Sequence, residues 1–207
     1  MKPAHLAPQE IASLLEVELS QVTRWIEQGA LPVQRSSAEL EDIGVERVTP
    51  LALANFLLRQ GIDLPSPLRC SVDLLVIDDE GATLRATARL LRRSAPHLNV
   101  SLAEGADVGW RDVQQKVPDI VLVDMYMPEL SGIDLCARIK ESPATSGVQV
   151  IGFSGRRDPD LESAFLRAGA CSVVDKPPSV EQLLDALDAD DGGPRGAPRF
   201  GAGDALH

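Results

Sequence analysis

Apolar runs and amphipathic stretches alternate along the C-terminal two thirds of the chain. The apolar runs, typical of strands, are LLVID, NVSLA, DIVLVDM, VQVIGFS and CSVVD. Stretches with helical periodicity follow them near residues 82–94, 108–117, 132–141, 160–168 and 180–187. Because parallel strands need crossover connections, this alternation predicts an α/β fold with a five-stranded, doubly wound parallel sheet. Several runs are continuously apolar, as expected for strands buried on both faces.

Residues 1–66 have a different pattern, which predicts a smaller, mainly α-helical domain. Apolar residues at helical spacing lie on either side of a short break: Ile11, Leu14, Leu15 and then Val22, Trp25, Ile26. This indicates two short helices joined by a tight turn, with Trp25 in the core and Gly29 as a C-cap. A third amphipathic helix is predicted to start near Pro50, since proline suits the first helical position.

Two further segments fit neither pattern. Residues 60–71, QGIDLPSPLRCS, contain two prolines within three residues, which disfavours a continuous helix or central strand. We therefore predict a boundary there, between domains at residues 1–66 and 71–190. Residues 191–207 are rich in Gly, Pro and Ala with few large apolar side chains, so we expect a disordered tail.

The composition is that of a globular protein, with 44% hydrophobic and 25% charged residues among 207. A formal net charge of −11 argues against nucleic-acid binding through bulk positive charge, so any DNA binding must be local. No apolar run approaches a membrane span and the first ten residues lack a signal-peptide core, so we expect a cytoplasmic protein. Cys70, Cys136 and Cys171 lack CxxC spacing and are interpreted as small apolar or linker residues.

Polar side chains stand where four of the predicted strands end: Asp78 with Asp79, Asp124, Ser154 and Lys176. Ligand crevices of open parallel sheets lie at the carboxyl ends of the strands, so we expect these groups to converge. Three carboxylates that close would repel one another and raise at least one pKa unless a cation lay among them. Mg²⁺ prefers oxygen ligands and leaves room for a phosphate donor, so we predict a magnesium site.

Each of these residues, taken singly, has a simpler interpretation. An Asp at a strand end is more often a helix cap or turn former, and a lone Lys is usually a solvated surface group. Caps and surface lysines do not account for a shared sheet edge or for the spacing along the chain. The joint pattern therefore favours a functional site.

Four phrases at the strand ends together resemble the receiver domain of two-component response regulators over residues 71–190. They are LLVIDDE, VLVDMYMPELSG, IGFSG and GACSVVDKPP. The resemblance implies a flavodoxin-like fold in which Asp124 is the nucleophile that forms an acyl phosphate. Ser154 would donate to a phosphoryl oxygen and Lys176 would neutralise phosphoryl charge. The phosphoryl donor would be a sensor histidine kinase or a phosphotransfer protein.

The resemblance also implies a ligand set for Mg²⁺. Asp79, Asp124 and the backbone carbonyl of Tyr126 would bind the ion directly, and Asp78 would act mainly through water. Such a domain catalyses only its own phosphorylation and dephosphorylation, so we do not expect a separate enzyme activity. Pro128 and Gly132 suit a tight loop into the next helix.

Two positions near the last strand bear on signalling. Pro177 after Lys176 implies a constrained, cis Lys–Pro bond by family resemblance. An aromatic residue commonly stands three positions before the lysine in this family, whereas this chain has Val173. A small β-branched side chain has little reach, so output by backbone shifts or by dimerisation on the last helices and strands is the alternative to an aromatic switch.

The phrase EIASLL…VTRWIEQGALP resembles the helix-turn-helix of the excisionase and MerR-like families, over most of residues 6–64. The second helix of that motif enters the DNA major groove, which implies Ser20, Gln21 and Arg24 as contact residues. Transcriptional regulation controlled by Asp124 is therefore the leading hypothesis, with a homodimer suited to paired half-sites.

The charge of this domain supports a second hypothesis. Residues 1–66 contain five basic and nine acidic residues, and the wing sequence SSAELEDIGVERV is acidic, whereas phosphate contacts need cations. A helical module that docks onto a partner protein, or pairs with itself, would make the chain a signalling adaptor. A DNA-binding measurement distinguishes the transcriptional regulator from the signalling adaptor.

Overall fold

The computed structural model describes residues 5–35, 46–69, 72–128, 130–156 and 158–188. Residues 5–35 and 46–69 form the N-terminal unit, in which three helices pack with an antiparallel two-stranded ribbon. Its elements are α1 (Pro8–Leu15), α2 (Leu19–Glu27), β1 (Gln34–Arg35), β2 (Glu46–Arg47) and α3 (Pro50–Arg59). The three predicted helices are thus confirmed, whereas most of the predicted wing falls outside the described residues.

Local sequence signals explain where these helices begin and end. Glu16 takes a left-handed conformation, φ +54°, in the turn between α1 and α2. Gly29 follows α2 with φ +68° and its N–H donates to the carbonyl of Ile26 at 2.9 Å, which confirms the predicted C-cap. Pro50 opens α3 behind Thr49, whose hydroxyl accepts the N–H of Ala52 at 3.0 Å.

The N-terminal unit has its own apolar core, to which all three helices contribute. Trp25 packs against this core, and its ring centroid lies 5.0 Å from that of Phe56, as predicted for a core tryptophan. Leu64 and Leu68, from the predicted boundary segment, are buried in the same core. The core therefore extends past the predicted boundary at residue 66, and only residues 69–71 separate it from the next strand.

Residues 72–128, 130–156 and 158–188 form the sheet unit. Its five described strands are all parallel and lie in the order β4-β3-β5-β6-β7. The strands are β3 (Val72–Asp78), β4 (Leu98–Glu104), β5 (Ile120–Asp124), β6 (Gln149–Ser154) and β7 (Ser172–Asp175). The helices are α4 (Gly81–Ser94), α5 (Ala106–Lys116), α6 (Gly132–Glu141), α7 (Pro159–Arg167) and α8 (Val180–Asp188). Each predicted element is present.

Helices cover both faces of this sheet. Successive residues of β3 alternate between the two cores, with Leu74 on the face of α4 and α8 and Leu75 on the face of α5, α6 and α7. This alternation of a fully buried strand explains why the run is continuously apolar, and it confirms the doubly wound prediction. Residues 191–207, the predicted tail, lie outside the described residues. Among the described helices, none is long and apolar enough to cross a membrane.

His97 is a fully buried histidine just before β4, and neither ring nitrogen has a hydrogen-bond partner among the described residues. Burial lowers its pKa from 6.5 to about 4, because apolar surroundings disfavour the charged ring. Between these pH values the unfolded chain binds a proton that the folded chain excludes. The free energy of unfolding should therefore decrease as the pH is lowered from 6.5 to about 4, and the buried His97 ring should account for about 3 kcal/mol of this loss.

Urea denaturation across this pH window measures the effect. His97→Leu is expected to remove this part of the pH dependence, whereas His5→Ala, at an exposed histidine, should leave it in place. Equal pH dependence in wild type and His97→Leu would show that the buried ring does not titrate as described.

Candidate functional site

The carboxyl ends of β3 and β5 form one edge of a crevice. The strand order reverses at this point, because β3 has β4 on one side and β5 on the other. Asp78 ends β3 and Asp124 ends β5. On the next two strands, Ser154 is paired with Asp175, one residue before Lys176. The predicted convergence at this edge is therefore what the register of the sheet produces.

Lys176 joins the two buried carboxylates of this crevice. Its Nζ lies 2.7 Å from Oδ2 of Asp78 and 2.7 Å from Oδ2 of Asp124. Asp78 is fully buried and Asp124 is 6% exposed, so both charges would be costly without a cation between them. The Lys176 Nζ also lies 4.7 Å from the ring centroid of Phe153. This lysine is thus the central cation of the described site.

Asp124 remains reachable although it is mostly buried. Its Oδ1 accepts the backbone N–H of Tyr126 at 3.0 Å, which fixes the orientation of the carboxyl group. Burial raises the pKa of Asp124, and the hydrogen bond from Lys176 offsets part of that effect. The side chain is therefore an oriented carboxyl group beside a lysine, as a phosphoryl acceptor requires.

Three carboxylates meet at the mouth of the crevice. Asp78, Asp79 and Asp124 each offer an oxygen, and these oxygens lie within 4.8 Å of one another. Asp79 is exposed, and the backbone N–H of Glu80 holds Oδ1 of Asp78 at 2.8 Å. An all-oxygen donor set on one accessible side fits Mg²⁺ better than a softer metal ion.

Ser154 is engaged with its own loop rather than with the crevice. Its hydroxyl donates to the carbonyl of Arg156 at 2.6 Å and accepts the N–H of Arg156 at 3.1 Å. The residue is buried, and its carbonyl accepts the N–H of Lys176 at 2.7 Å. The predicted role as a donor to a phosphoryl oxygen therefore requires the hydroxyl to leave Arg156.

The side-chain contacts among three residues beside the crevice could not be predicted from the sequence. The guanidinium of Arg156 lies 5.9 Å from the ring centroid of Tyr126. The Tyr126 hydroxyl donates to Oδ2 of Asp158 at 3.4 Å, and its ring is 43% exposed. The family resemblance implies a role only for the backbone carbonyl of Tyr126, and no spacing rule links these three side chains.

Gly132, the last residue of the sequence MPELSG, lies at a position that has no room for a side chain. The first turn of α6 approaches the end of β5 so closely that a Cβ at Gly132 would collide with the backbone carbonyl oxygen of Asp124. Ser131 caps α6 by accepting the N–H of Asp134 at 3.2 Å. The predicted tight loop is therefore confirmed, and its glycine is required by the close approach to the backbone of Asp124.

A model of the response regulator receiver domain matches residues 74–188, more than half of the chain. The chain belongs to this family. The five-stranded sheet unit is therefore a two-component response regulator receiver domain, with an acidic crevice at its sheet edge. The match does not include the N-terminal unit, whose resemblance to helix-turn-helix proteins remains a prediction.

Named relatives and solved structures agree with this assignment. The response regulator protein TodT of Pseudomonas putida is 32% identical over 121 residues, covering 58% of this chain and 51% of that protein. The gliding motility regulatory protein of Myxococcus xanthus is 32% identical over 164 residues, 77% of this chain and 21% of that protein. This chain thus spans about half of TodT and a fifth of the Myxococcus protein.

Two solved receivers have the same fold. One is a response regulator receiver domain protein from Clostridium thermocellum, 31% identical with a TM-score of 0.51, covering 56% of this chain and 91% of that one. The other is the receiver domain of a DNA binding response regulator protein (merR) from Colwellia psychrerythraea 34H. It is 25% identical with a TM-score of 0.52, covering 56% of this chain and 95% of that one.

Two further expectations from the family resemblance concern the region of β7. The Lys176–Pro177 peptide bond is cis, as the resemblance implied. Val173 is half-buried on β7, where it pairs with Gly152 and packs against the core on the face of α5, α6 and α7. The receiver therefore has a short aliphatic side chain at the position that is commonly aromatic.

The predicted DNA-contact residues lie together on α2. Ser20 and Arg24 are exposed and Gln21 is half-buried, while Val22 and Ile26 of the same helix enter the core. The helix thus directs its apolar residues inward and leaves a polar side accessible.

Proposed function

We propose that Asp124 accepts a phosphoryl group from a phosphohistidine of a sensor histidine kinase or phosphotransfer protein. The observation that carries this proposal is the lysine ammonium held 2.7 Å from both buried carboxylates, one of which ends β5 as the acceptor. A carboxylate oxygen of Asp124 attacks phosphorus, the O–P bond forms and the N–P bond to the donor imidazole breaks. The leaving imidazole nitrogen takes a proton as it departs.

The residues around Asp124 have distinct tasks in this reaction. The N–H of Tyr126 orients the carboxylate, so the attacking oxygen does not have to be ordered during the reaction. Lys176 is placed to neutralise charge on the equatorial phosphoryl oxygens. Ser154 is released from Arg156 and donates to the same group. The signal ends by hydrolysis: water attacks phosphorus, the O–P bond to Asp124 breaks, and inorganic phosphate and the free carboxylate are formed.

We propose Mg²⁺ as the cofactor, held by Asp79 and Asp124 with the Tyr126 carbonyl, and by Asp78 through water. Mg²⁺ supplies positive charge that offsets the charge of the transferring phosphoryl group. The chain's own contribution is the oxygen cluster that binds the ion and the lysine beside it.

Magnesium is expected to raise the melting temperature of the wild-type protein, because the ion relieves repulsion among the clustered carboxylates. Thermal unfolding during a Mg²⁺ titration measures this. Asp79→Asn should weaken the apparent affinity at least tenfold, whereas Asp63→Asn, at an exposed aspartate of the N-terminal unit, should behave as wild type. An unchanged titration in Asp79→Asn would contradict the proposed ligand set.

The output we propose is transcriptional regulation, in which α2 of the N-terminal unit contacts DNA. Its support is the accessible polar side formed by Ser20, Gln21 and Arg24. The Colwellia receiver comes from a protein described as DNA binding, and its similarity to this receiver is consistent with that output. A homodimer would present two copies of α2 to paired half-sites.

The acidity of residues 1–66 favours a second candidate, a signalling adaptor whose N-terminal unit binds a protein. A low-salt gel shift on random genomic fragments, with and without phosphorylation, separates the two. Binding that Arg24→Ala weakens and Arg93→Ala, on the exposed surface of α4, leaves intact would support DNA contact through α2. Absence of DNA binding in both phosphorylation states would contradict transcriptional regulation and favour the signalling adaptor.

A further inference from the structure

The aromatic ring of Phe153 lies beside the lysine of the crevice. Phe153 is the last residue but one of β6 and is fully buried. The Nζ of Lys176 lies over this ring, 4.7 Å from its centroid, which is within the range of about 6 Å for attraction between a cation and a ring face. The Lys176 side chain is only 18% exposed, and loss of water strengthens this attraction. The contact is therefore placed to influence the position of the ammonium group.

The register of the sheet explains why the ring lies between the acceptor and the lysine. Phe153 pairs with Asp124 on β5 and with Val174 on β7. Paired residues of neighbouring strands point to the same face of a sheet, and residues two apart along one strand share a face. Asp78 lies on this face as well, because it is an even number of residues after the β3 residues that pack in the same core as Phe153. The Lys176 side chain therefore reaches both carboxylates across the ring.

The backbone fixes the ring relative to both partners. The carbonyl of Phe153 accepts the N–H of Met125, the residue after the acceptor, at 3.1 Å. The carbonyl of the next residue, Ser154, accepts the N–H of Lys176 at 2.7 Å. Because these bonds join β6 to the ends of β5 and β7, the ring has a fixed position from which to hold the ammonium group.

An uncharged holder suits a lysine that must meet a phosphoryl group. The Lys176 ammonium forms ion pairs of 2.7 Å with Asp78 and with Asp124. A third carboxylate at the position of the ring would repel the phosphoryl oxygens, whereas an aromatic face attracts the ammonium without carrying net charge. The ammonium can thus turn from a carboxylate oxygen to a phosphoryl oxygen while it stays over the ring.

We propose that Phe153 is a positioning residue for phosphoryl transfer, whose ring face holds the Lys176 ammonium where it meets the phosphoryl oxygens on Asp124. This role rests on the phosphoryl acceptance proposed above. The simpler explanation is that Phe153 only fills the core, since it is among the largest fully buried side chains. Core filling requires the volume of the ring, whereas positioning requires the negative charge of its face.

Fluorinated phenylalanine at position 153 of the full chain separates these two explanations. Fluorine withdraws charge from the ring face and changes the size of the ring little. With one, two and three ring fluorines, phosphorylation by acetyl phosphate and Mg²⁺ should become progressively slower, by about tenfold at three fluorines. The apparent Mg²⁺ affinity, measured by thermal unfolding, should stay at the wild-type value because the ligand oxygens are unaltered.

The same series at Phe165 is the matched control. Phe165 is equally buried, but it packs in the core on the face of α5, α6 and α7, and no cation lies over its ring among the described residues. Fluorination there should leave the rate of phosphorylation unchanged. The comparison therefore removes any general effect of fluorine in a buried core.

Nuclear magnetic resonance of the unphosphorylated chain detects the contact directly. The chain contains four lysines, Lys2, Lys116, Lys140 and Lys176, so isotope-labelled lysine gives a simple spectrum. The ring current of Phe153 should shift the ε-methylene protons of Lys176 upfield, and Phe153→Leu should remove this shift. The signal is assigned by its loss in Lys176→Met. Equal Lys176 shifts in wild type and Phe153→Leu would contradict the contact.

The two proposals fail in different ways. A wild-type protein that is phosphorylated, with a rate that does not change along the Phe153 series or falls equally along the Phe165 series, would overturn the role of Phe153 alone. A fall in Mg²⁺ affinity in step with the rate would also overturn it, because the ring would then act on the metal ligands. A wild-type protein that gains no phosphoryl group would overturn the phosphoryl acceptance, and the role of Phe153 with it.

Discussion

Replacing Gly132 with alanine is expected to lower the free energy of unfolding by roughly 2–4 kcal/mol and to abolish most phosphorylation. The new Cβ would collide with the carbonyl oxygen of Asp124, and both groups belong to backbone that cannot rotate away. Either α6 or the end of β5 must move, and a shift of the acceptor away from Lys176 is costly for the reaction. Urea denaturation and phosphoprotein electrophoresis measure the two effects.

Gly147→Ala is the matched control for this substitution. Gly147 is exposed, and a Cβ there would meet nothing within 4 Å. We expect a change in unfolding free energy within about 0.5 kcal/mol, and normal phosphorylation. If the two alanine variants were equally stable and equally phosphorylated, the close approach of α6 to Asp124 would be wrong.

Lys176→Met is expected to destabilise the receiver by roughly 3–5 kcal/mol near neutral pH and to prevent phosphorylation. Methionine keeps the length of the side chain but leaves the carboxylates of Asp78 and Asp124 buried without their shared cation. Burial already raises the pKa of Asp124, so acidification should recover part of the lost stability by protonating this carboxyl group, and added Mg²⁺ should do so by supplying positive charge. Neither should recover phosphoryl transfer, because the neutralising ammonium is gone.

The control for this charge removal is Lys116→Met. Lys116 also pairs with an aspartate at 2.7 Å, but on the exposed surface of α5. Such pairs contribute less than about 1 kcal/mol, so this variant should fold and be phosphorylated as wild type. Equal losses of stability and phosphorylation in the two methionine variants would contradict the central role of Lys176. A Lys176→Met protein whose stability does not change with pH or Mg²⁺ would also contradict it.

Much of the receiver could be predicted because its strands are buried on both faces. A run such as IVLV has one structural explanation in an alternating α/β pattern, and the polar residue that ends it must then lie at the sheet edge. Asp78, Asp79, Asp124 and Lys176 were therefore placed together correctly from sequence order alone. Those positions depend on backbone topology, which hydrophobic periodicity determines.

Contacts that depend on side-chain orientation could not be predicted. Ser154 stands at the expected strand end, but its bonds to Arg156 arise from the conformation of the following loop. His97 has no pattern that reveals its burial. Leu68 follows two prolines, which predict a linker, yet it packs into the N-terminal core. The burial of His97 and Leu68 arises from tertiary packing between segments distant in sequence, whereas the Ser154 bonds depend on a loop conformation that hydrophobic periodicity does not specify.

Helix α3 shows the same limit at the level of the whole chain. Its sequence, PLALANFLLR, is apolar enough to be amphipathic or fully buried, and periodicity alone cannot separate these cases. The folded chain decides the outcome, because Leu51 packs against the receiver core beside α8 while most of the helix packs in the core of the N-terminal unit. The relation between the two units is thus a property of the folded chain.

The most direct test of the account is phosphoprotein electrophoresis of wild type and Asp124→Asn after treatment with acetyl phosphate, with and without Mg²⁺. Asparagine is nearly isosteric but cannot form an acyl phosphate. We expect a retarded species that requires Mg²⁺ and is absent from Asp124→Asn. A retarded species that persists in Asp124→Asn, or wild-type protein that is never retarded, would contradict it.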